Sequence, residues 1–326
     1  MATVRIFAAL ALLSSLQAAP AAAEDYPNRP VRVIVPFAPG GPVDVLARAI
    51  GEGFRERTGQ TMVVENKPGG NTSIGATACK SAEADGYTVC MLTSSTVTLN
   101  PFLYSSLPYD PAKELEPVSK VVIARQVLLL NASVPVKSFA ELVTYSKENP
   151  DKLTFGSFGT GGDSHLIIEW LNKKTGMHSL HIPYPGAAPA TIAFDRGDIQ
   201  LMFPVSTRPI LDRIKSGKAT GLLVAGNKRD PNLPDVPTFK EAGLPELGYE
   251  TWFALFAPAN IPKDRLAKLG SEIAAIVHTQ SFVDKYVVTA GFDAVGSLPA
   301  EFKSELEQDM VSGRNLVAIS GIKLAQ

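Results

Sequence analysis

The sequence is poor in the side chains that most site chemistry needs. Two cysteines and four histidines occur in 326 residues. Cys79 and Cys90 have no histidine beside them, so they make an incomplete metal or thiol site. His165, His178, His181 and His278 form no H-E-x-x-H pair. No lysine follows "GSFGTGG", which removes a Walker-type phosphate loop, and Ser164 stands where a dinucleotide loop has its third glycine. Phe155 occupies the first glycine position that a nucleophile elbow requires. Lysine plus arginine number 31 against 32 acidic residues, for a net charge of −1. With no basic block, nucleic acid has nothing to grip. After the N-terminus no apolar run is long enough to cross a membrane.

What is present begins with an export signal. Arg5 supplies a basic start, Ile6 to Leu16 a short apolar core, and Ala21 and Ala23 the small-x-small pattern of a cleavage site. Residues 1–23 are expected to be removed before Glu24, taking away one positive charge and leaving −2. No cysteine lies there to carry a lipid, so a periplasmic location is expected. About 300 residues remain, enough for two domains of ordinary size.

Apolar runs then alternate with amphipathic stretches. "VRVIVPF", "MVVEN" and "YTVCML" read as strands; "PVDVLARAIGEGFRERTG" and "SIGATACKSAEA" read as helices between them. This βαβαβ order predicts an α/β fold with helices on both faces of a largely parallel sheet. The helix–strand sequence puts Cys79 and Cys90 within reach of each other, and both a disulfide and a pair of small buried hydrophobes fit. The proline- and aromatic-rich stretch "NPFLYSSLPYDPAKELEPVSKV" reads as a loop. The grammar then repeats from "QVLLLNA" through "TFGSFGTGGDSHLIIEWLNKKTG", "HSLHIPYPG" and "STRPILDRIKSG" to "ATGLLVAG". "YETWFALFAPANIP" and the helix "PKDRLAKLGSEIAAIVHT" follow.

Two loops share one design. "FAPGGPVD" and "SFGTGGDSH" each carry glycines that let backbone approach a ligand, and each opens directly into a helix. A helix start offers unpaired N–H groups and partial positive charge, so it can hold an anion without lysine or arginine. Ser157, Thr160 and Ser164 add hydroxyls. Taken singly, each loop is as well described as a strand–helix turn, with Asp44 and Asp163 as helix-start residues. Two such loops facing one cleft would grip a small carboxylate. Phe37, Phe158, Tyr184 and Phe203 lie near strand ends, suited to core packing or to lining that cleft. His165 follows the second loop and could donate to a ligand; His178 and His181 read as structural.

The segments "YPNRPVRVIVPFAPGGPVDVLAR", "VVENKPGGNTSIGA", "DGYTV", "GSFGTGGDSHL", "HIPYPGAAPA" and "LPDVPTFKEAGLPELGYETWFALFAPANIPKD" resemble, in this order, the Bug (TctC-type) extracytoplasmic solute receptors of tripartite tricarboxylate transporters. The resemblance implies a type II periplasmic binding fold: two doubly wound α/β lobes with a ligand cleft between them. Residues 24–121 and 249–326 would form lobe 1 and residues 122–248 lobe 2, hinged near Val121–Gln126 and Tyr249–Phe253. It further implies a non-enzymatic receptor for small carboxylates, monomeric and without cofactor or metal. The receptor would serve membrane permease subunits or, alternatively, a sensor kinase. An exported enzyme acting on a small acid would need a supported nucleophile or acid–base pair, and none is evident.

Ligand contacts are expected from Phe37, Pro39, Gly40, Gly41, Val43 and Asp44 in the first lobe, with Thr93 and Ser94 after the third strand. The second lobe is expected to add Ser157, Gly159, Thr160, Gly161, Gly162, Ser164, His165, Tyr184 and Pro204. Pro42–Val43 replaces the family's usual glycine-threonine, Pro185 a usual lysine, and Pro204–Val205 a frequent acid or amide. These departures lower the polarity of the cleft and predict a ligand with an apolar or aromatic body rather than aspartate or citrate.

Overall fold

The computed structural model describes residues 26–150, 152–226, 228–245 and 247–325; the expected export signal at 1–23 lies outside the described residues. All four valines and isoleucines of β1 (Val31–Val35) are buried, as a strand covered on both faces requires. β1 pairs in parallel with β2 (Met62–Asn66) and β3 (Thr88–Thr93). Helix α1 (Pro42–Thr58) starts with proline in its first turn, where no amide partner is needed, and stops at left-handed Gly59 (φ 75°). Its buried face, including Leu46, Ile50 and Phe54, packs on the sheet. Helix α2 (Ser73–Lys80) covers the other face, where Cys79 is bridged to Cys90 of β3, with Cα atoms 6.0 Å apart. Of the two readings of the cysteines, the disulfide is the one formed.

The stretch expected to be a loop is largely structured. Ser95–Leu103 forms a π turn followed by an α turn, Pro111–Glu114 is helical, and Leu115–Ala124 is β4, a central strand. Its prolines misled because each sits where a missing N–H costs little. Pro101 and Pro111 lie in first turns, and Pro117 of β4 stands beside a register irregularity opposite Phe256.

The chain leaves this sheet after Ala124, past the boundary expected at 121, and enters a second one. There β5 (Val127–Asn131), β6 (Thr154–Ser157), β7 (Leu180–Pro183), β8 (Leu201–Met202) and β9 (Ala219–Val224) stand in the order β7-β6-β8-β5-β9. β6 is parallel to β7 and β8, whereas β5 runs antiparallel to β8 and β9. Helices α3 (Phe139–Glu148), α4 (Asp163–Thr175), α5 (Ala187–Arg196) and α6 (Arg208–Lys215) cover its two faces.

The chain then returns. β10 (Trp252–Pro258) inserts antiparallel between β3 and β4, and β11 (Phe292–Ala294) closes the edge, giving β2-β1-β3-β10-β4-β11. α7 (Lys263–Val277) packs beside α1. The last helix, α8 (Pro299–Ser320), is absent from the sequence reading because its apolar residues do not serve one face. Phe302 joins the first sheet's core, while Leu316 and Val317 join the second's. Buried Lys120 of β4 anchors it through Glu305 (2.8 Å) and Asp309 (3.0 Å).

Candidate ligand site at the lobe crossover

Strand direction decides where the two glycine loops lie. β10 leaves the crossover opposite Thr93 and Ile123, so the C-terminal ends of β1, β3 and β4 all face the second lobe. In the second sheet β5 enters from the crossover, and its antiparallel pairing with β8 turns the C-terminal ends of β6, β7 and β8 back toward it. The loops after β1 and β6 therefore open toward the same inter-lobe edge, where ligands of α/β sheets gather.

The first loop is held by a single carboxylate. Asp44, 2% exposed, accepts from the Gly40 N–H (2.9 Å), Asn66 Nδ2 (2.9 Å), and Arg48 Nε and Nη2 (3.0 Å each). Burial opposes its ionisation, but these donors outweigh burial and hold the carboxyl down at about 2. Both oxygens are spent, so the Asp44 side chain shapes the loop and only its backbone N–H is left to meet a ligand. Asn66 also donates to the Phe37 carbonyl (3.0 Å). Gly40 can make this turn because its φ is 84°. No acceptor among the described residues takes the N–H of Gly41, Val43 or Asp44. Pro39 and Pro42 contribute shape only.

The second loop is fixed by neutral imidazoles. The Gly161 N–H donates to His165 Nδ1 (3.1 Å), which assigns the ring hydrogen to Nε2. His165 stacks on His181 with centroids 3.7 Å apart and planes 12° apart. His181 Nε2 lies 2.6 Å from Ser157 Oγ, which itself donates to the Gly159 carbonyl (3.1 Å). Burial, helped by His181, pushes His165 down to about 4, and burial lowers His181 as well. Both rings are uncharged at neutral pH. Gly161 suits this turn because its φ is 80°, a left-handed conformation that strains any other residue, and an added Cβ would also press on the methyls of Leu103 (2.6 Å) and Leu324 (2.8 Å). No acceptor among the described residues takes the N–H of Thr160, Asp163 or His165, so the start of α4 presents donors as α1 does.

Other expected contacts sit at the edge with their side chains turned inward. Ser94 Oγ, fully buried, is 2.9 Å from the Tyr249 hydroxyl and accepts from the Trp252 N–H at 3.3 Å. Burial raises the Tyr249 phenol far above its ordinary value. Thr93 Oγ1 bonds Thr96 Oγ1 (3.1 Å). Pro204 is buried and accepts from the Val127 N–H (3.0 Å), prolonging β8 along β5. Ser164 is buried within loop 2, its hydroxyl 3.4 Å from the Phe158 N–H. Tyr184 is half-buried against the second core, and Phe37 against the first. Phe203 is core, 6.1 Å from Phe239.

Sequence reasoning passed over Asn66, read His181 as structural without a partner, and placed Asp163 only as a helix start. His181 gave no signal beyond strand alternation, and its role comes from the parallel register that sets it beside Phe155. Among the described residues no three His, Cys, Asp or Glu side chains converge as a metal site needs.

Two lobes, joined by two crossing segments and each presenting a cation-free amide turn at the shared edge, define a two-lobed solute-binding architecture. Residues 46–313 match the family model of the tripartite tricarboxylate transporter family receptor, TctC, and the chain belongs to that family. It is 31% identical to Protein BugT of Bordetella pertussis over 326 residues, covering 99% of this chain and 98% of that one. Among solved structures it resembles the periplasmic binding protein BugD, with a TM-score of 0.80 and 32% identity over 92% of this chain and 100% of that one. An R. palustris protein solved with adipate matches with a TM-score of 0.82 and 31% identity, over 93% of this chain and all of that one.

Proposed function

We propose that this chain is a periplasmic receptor that captures a small carboxylate between its two loops and presents it to the membrane subunits of a tripartite tricarboxylate-type transporter. The observation that carries this reading is the pair of unpaired amide sets, at Gly41–Asp44 and Thr160–His165, on strand ends that face one crossover. Such groups recognise negative charge through partial charges and hydrogen bonds, and a water-poor cleft strengthens both. The adipate in the R. palustris relative supports the ligand class. The receptor acts as a monomer without cofactor, binding and releasing its ligand unchanged.

A thermal-shift and calorimetric screen over carboxylic acids tests this. Saturable one-site binding is expected. At a ligand concentration one hundred times Kd it adds about 2.7 kcal/mol of stability, a rise in Tm of roughly 4 °C for a chain of this size. Binding of no carboxylate, or chemical turnover of the bound acid, would overturn the reading.

A further inference from the structure

The first loop has a second face. Between it and the irregular helical stretch 283–290 lies a half-open chamber of roughly 250 Å3. Pro42, Val45 and Leu46 form one wall, Tyr286, Ala290 and Phe292 the mostly apolar opposite one, Lys285 and Thr289 add polar groups to that side, and Thr207 of the second lobe also lines it. Gly40 also lines the chamber, so it is continuous with the turn that carries the unpaired N–H groups of Gly41 and Val43. Val45 is a large apolar side chain left 45% exposed within one helical turn of those donors. The ring of Pro42 adds to the apolar part of this wall.

We propose that the chamber seats the apolar body of the captured carboxylate while its charged group sits on the amides of the first loop. The inference rests on the carboxylate reading and names the part of the ligand that the amides cannot recognise. The size fits, because an apolar cavity of about 150 Å3 already accepts benzene. A six-membered ring or a chain of four methylenes therefore has room. Each methylene removed from water multiplies affinity roughly fourfold, which favours longer bodies over compact polar acids. Because Thr207 belongs to the second lobe, that part of the lining exists only while the lobes face each other. The apolar body therefore also favours closure, by adding contacts that the open form lacks.

The test is calorimetric titration of the full mature chain with malonate, adipate and benzoate. Two variants fill the chamber from opposite walls, Val45→Trp and Ala290→Phe, and circular dichroism melting establishes that each is folded. The wild type is expected to bind adipate or benzoate at least tenfold tighter than malonate. Each variant is expected to lose at least tenfold for the longer acid while malonate stays within threefold. A wild type that prefers malonate, or folded variants in which the ratio between acids is unchanged, overturns the chamber. If the wild type binds none of the three but binds another acid of the wider carboxylate screen, the chamber alone fails; if it binds no carboxylate at all, the carboxylate reading itself fails.

Discussion

The Asp163 carboxylate at the start of α4 lies 2.8 Å from the Thr251 hydroxyl on the segment that returns to the first lobe, and accepts from Gln126 Nε2 of the outgoing segment at 3.2 Å. One side chain thus ties the second loop's helix to both crossing segments. Its other oxygen takes the Ser164 N–H (2.8 Å). The helix start that carries the second loop's unpaired amides is therefore fastened to both crossing segments.

Asp163→Ala is expected to cost about 1–3 kcal/mol, because Gln126 and Thr251, both nearly buried, lose their shared acceptor. Asp163→Asn keeps one acceptor oxygen and is expected to cost less. Urea denaturation of both variants checks the order; equal stability of Asp163→Ala and wild type would remove the tie.

Asp44→Ala frees the Gly40 N–H, Asn66 and Arg48 together. A carboxylate ligand is expected to bind at least tenfold more weakly, with stability reduced by about 1–3 kcal/mol. The pH signature follows from its lowered pKa. This contribution is complete above the ordinary carboxyl value and is lost as pH falls toward about 2. A titration of ligand affinity that is unchanged in the variant would contradict the loop-shaping role.

The imidazole pair acts in a higher window. His165 is neutral in the folded chain down to about 4 but protonates near 6.5 when unfolded. The unfolded state then binds more protons between those values, so stability falls as pH drops from about 6.5 to about 4, by on the order of 2–3 kcal/mol. His165→Asn is expected to flatten that slope. Urea midpoints measured at half-unit steps of pH give the comparison, and an equally steep wild-type and variant profile would rule it out.

The Cys79–Cys90 bridge joins α2 to β3 across 11 positions, on the sheet face packed by Trp252 and Phe302. Removing both thiols as Cys79→Ala/Cys90→Ala is expected to cost roughly 2–3 kcal/mol, from the loop it closes in the unfolded chain. Ligand affinity is expected to stay within twofold, because the bridge touches neither loop. A large change in affinity at unchanged stability would be the contrary result.

Much of the site was legible because its parts are local. A β-branched strand, a glycine turn and an amphipathic helix are each set by a few neighbouring residues, and the unpaired amides of a helix start come with the helix itself. Asn66 was not legible, because it reaches Asp44 only once β2 lies beside β1. The neutrality of His165 was hidden too, since it depends on burial and on a stacked ring sixteen positions away.

By itself the sequence determined the strand–loop–helix units, the cation-free character of the two turns and the family to which they point, since backbone propensity and residue type act over short range. Only the tertiary structure decided that β10 would run between β3 and β4, that Thr251 would meet Asp163 across 88 positions, and that a chamber would open beside Pro42. Those outcomes depend on which buried surfaces pack together across the whole chain, a balance that no single stretch of residues contains.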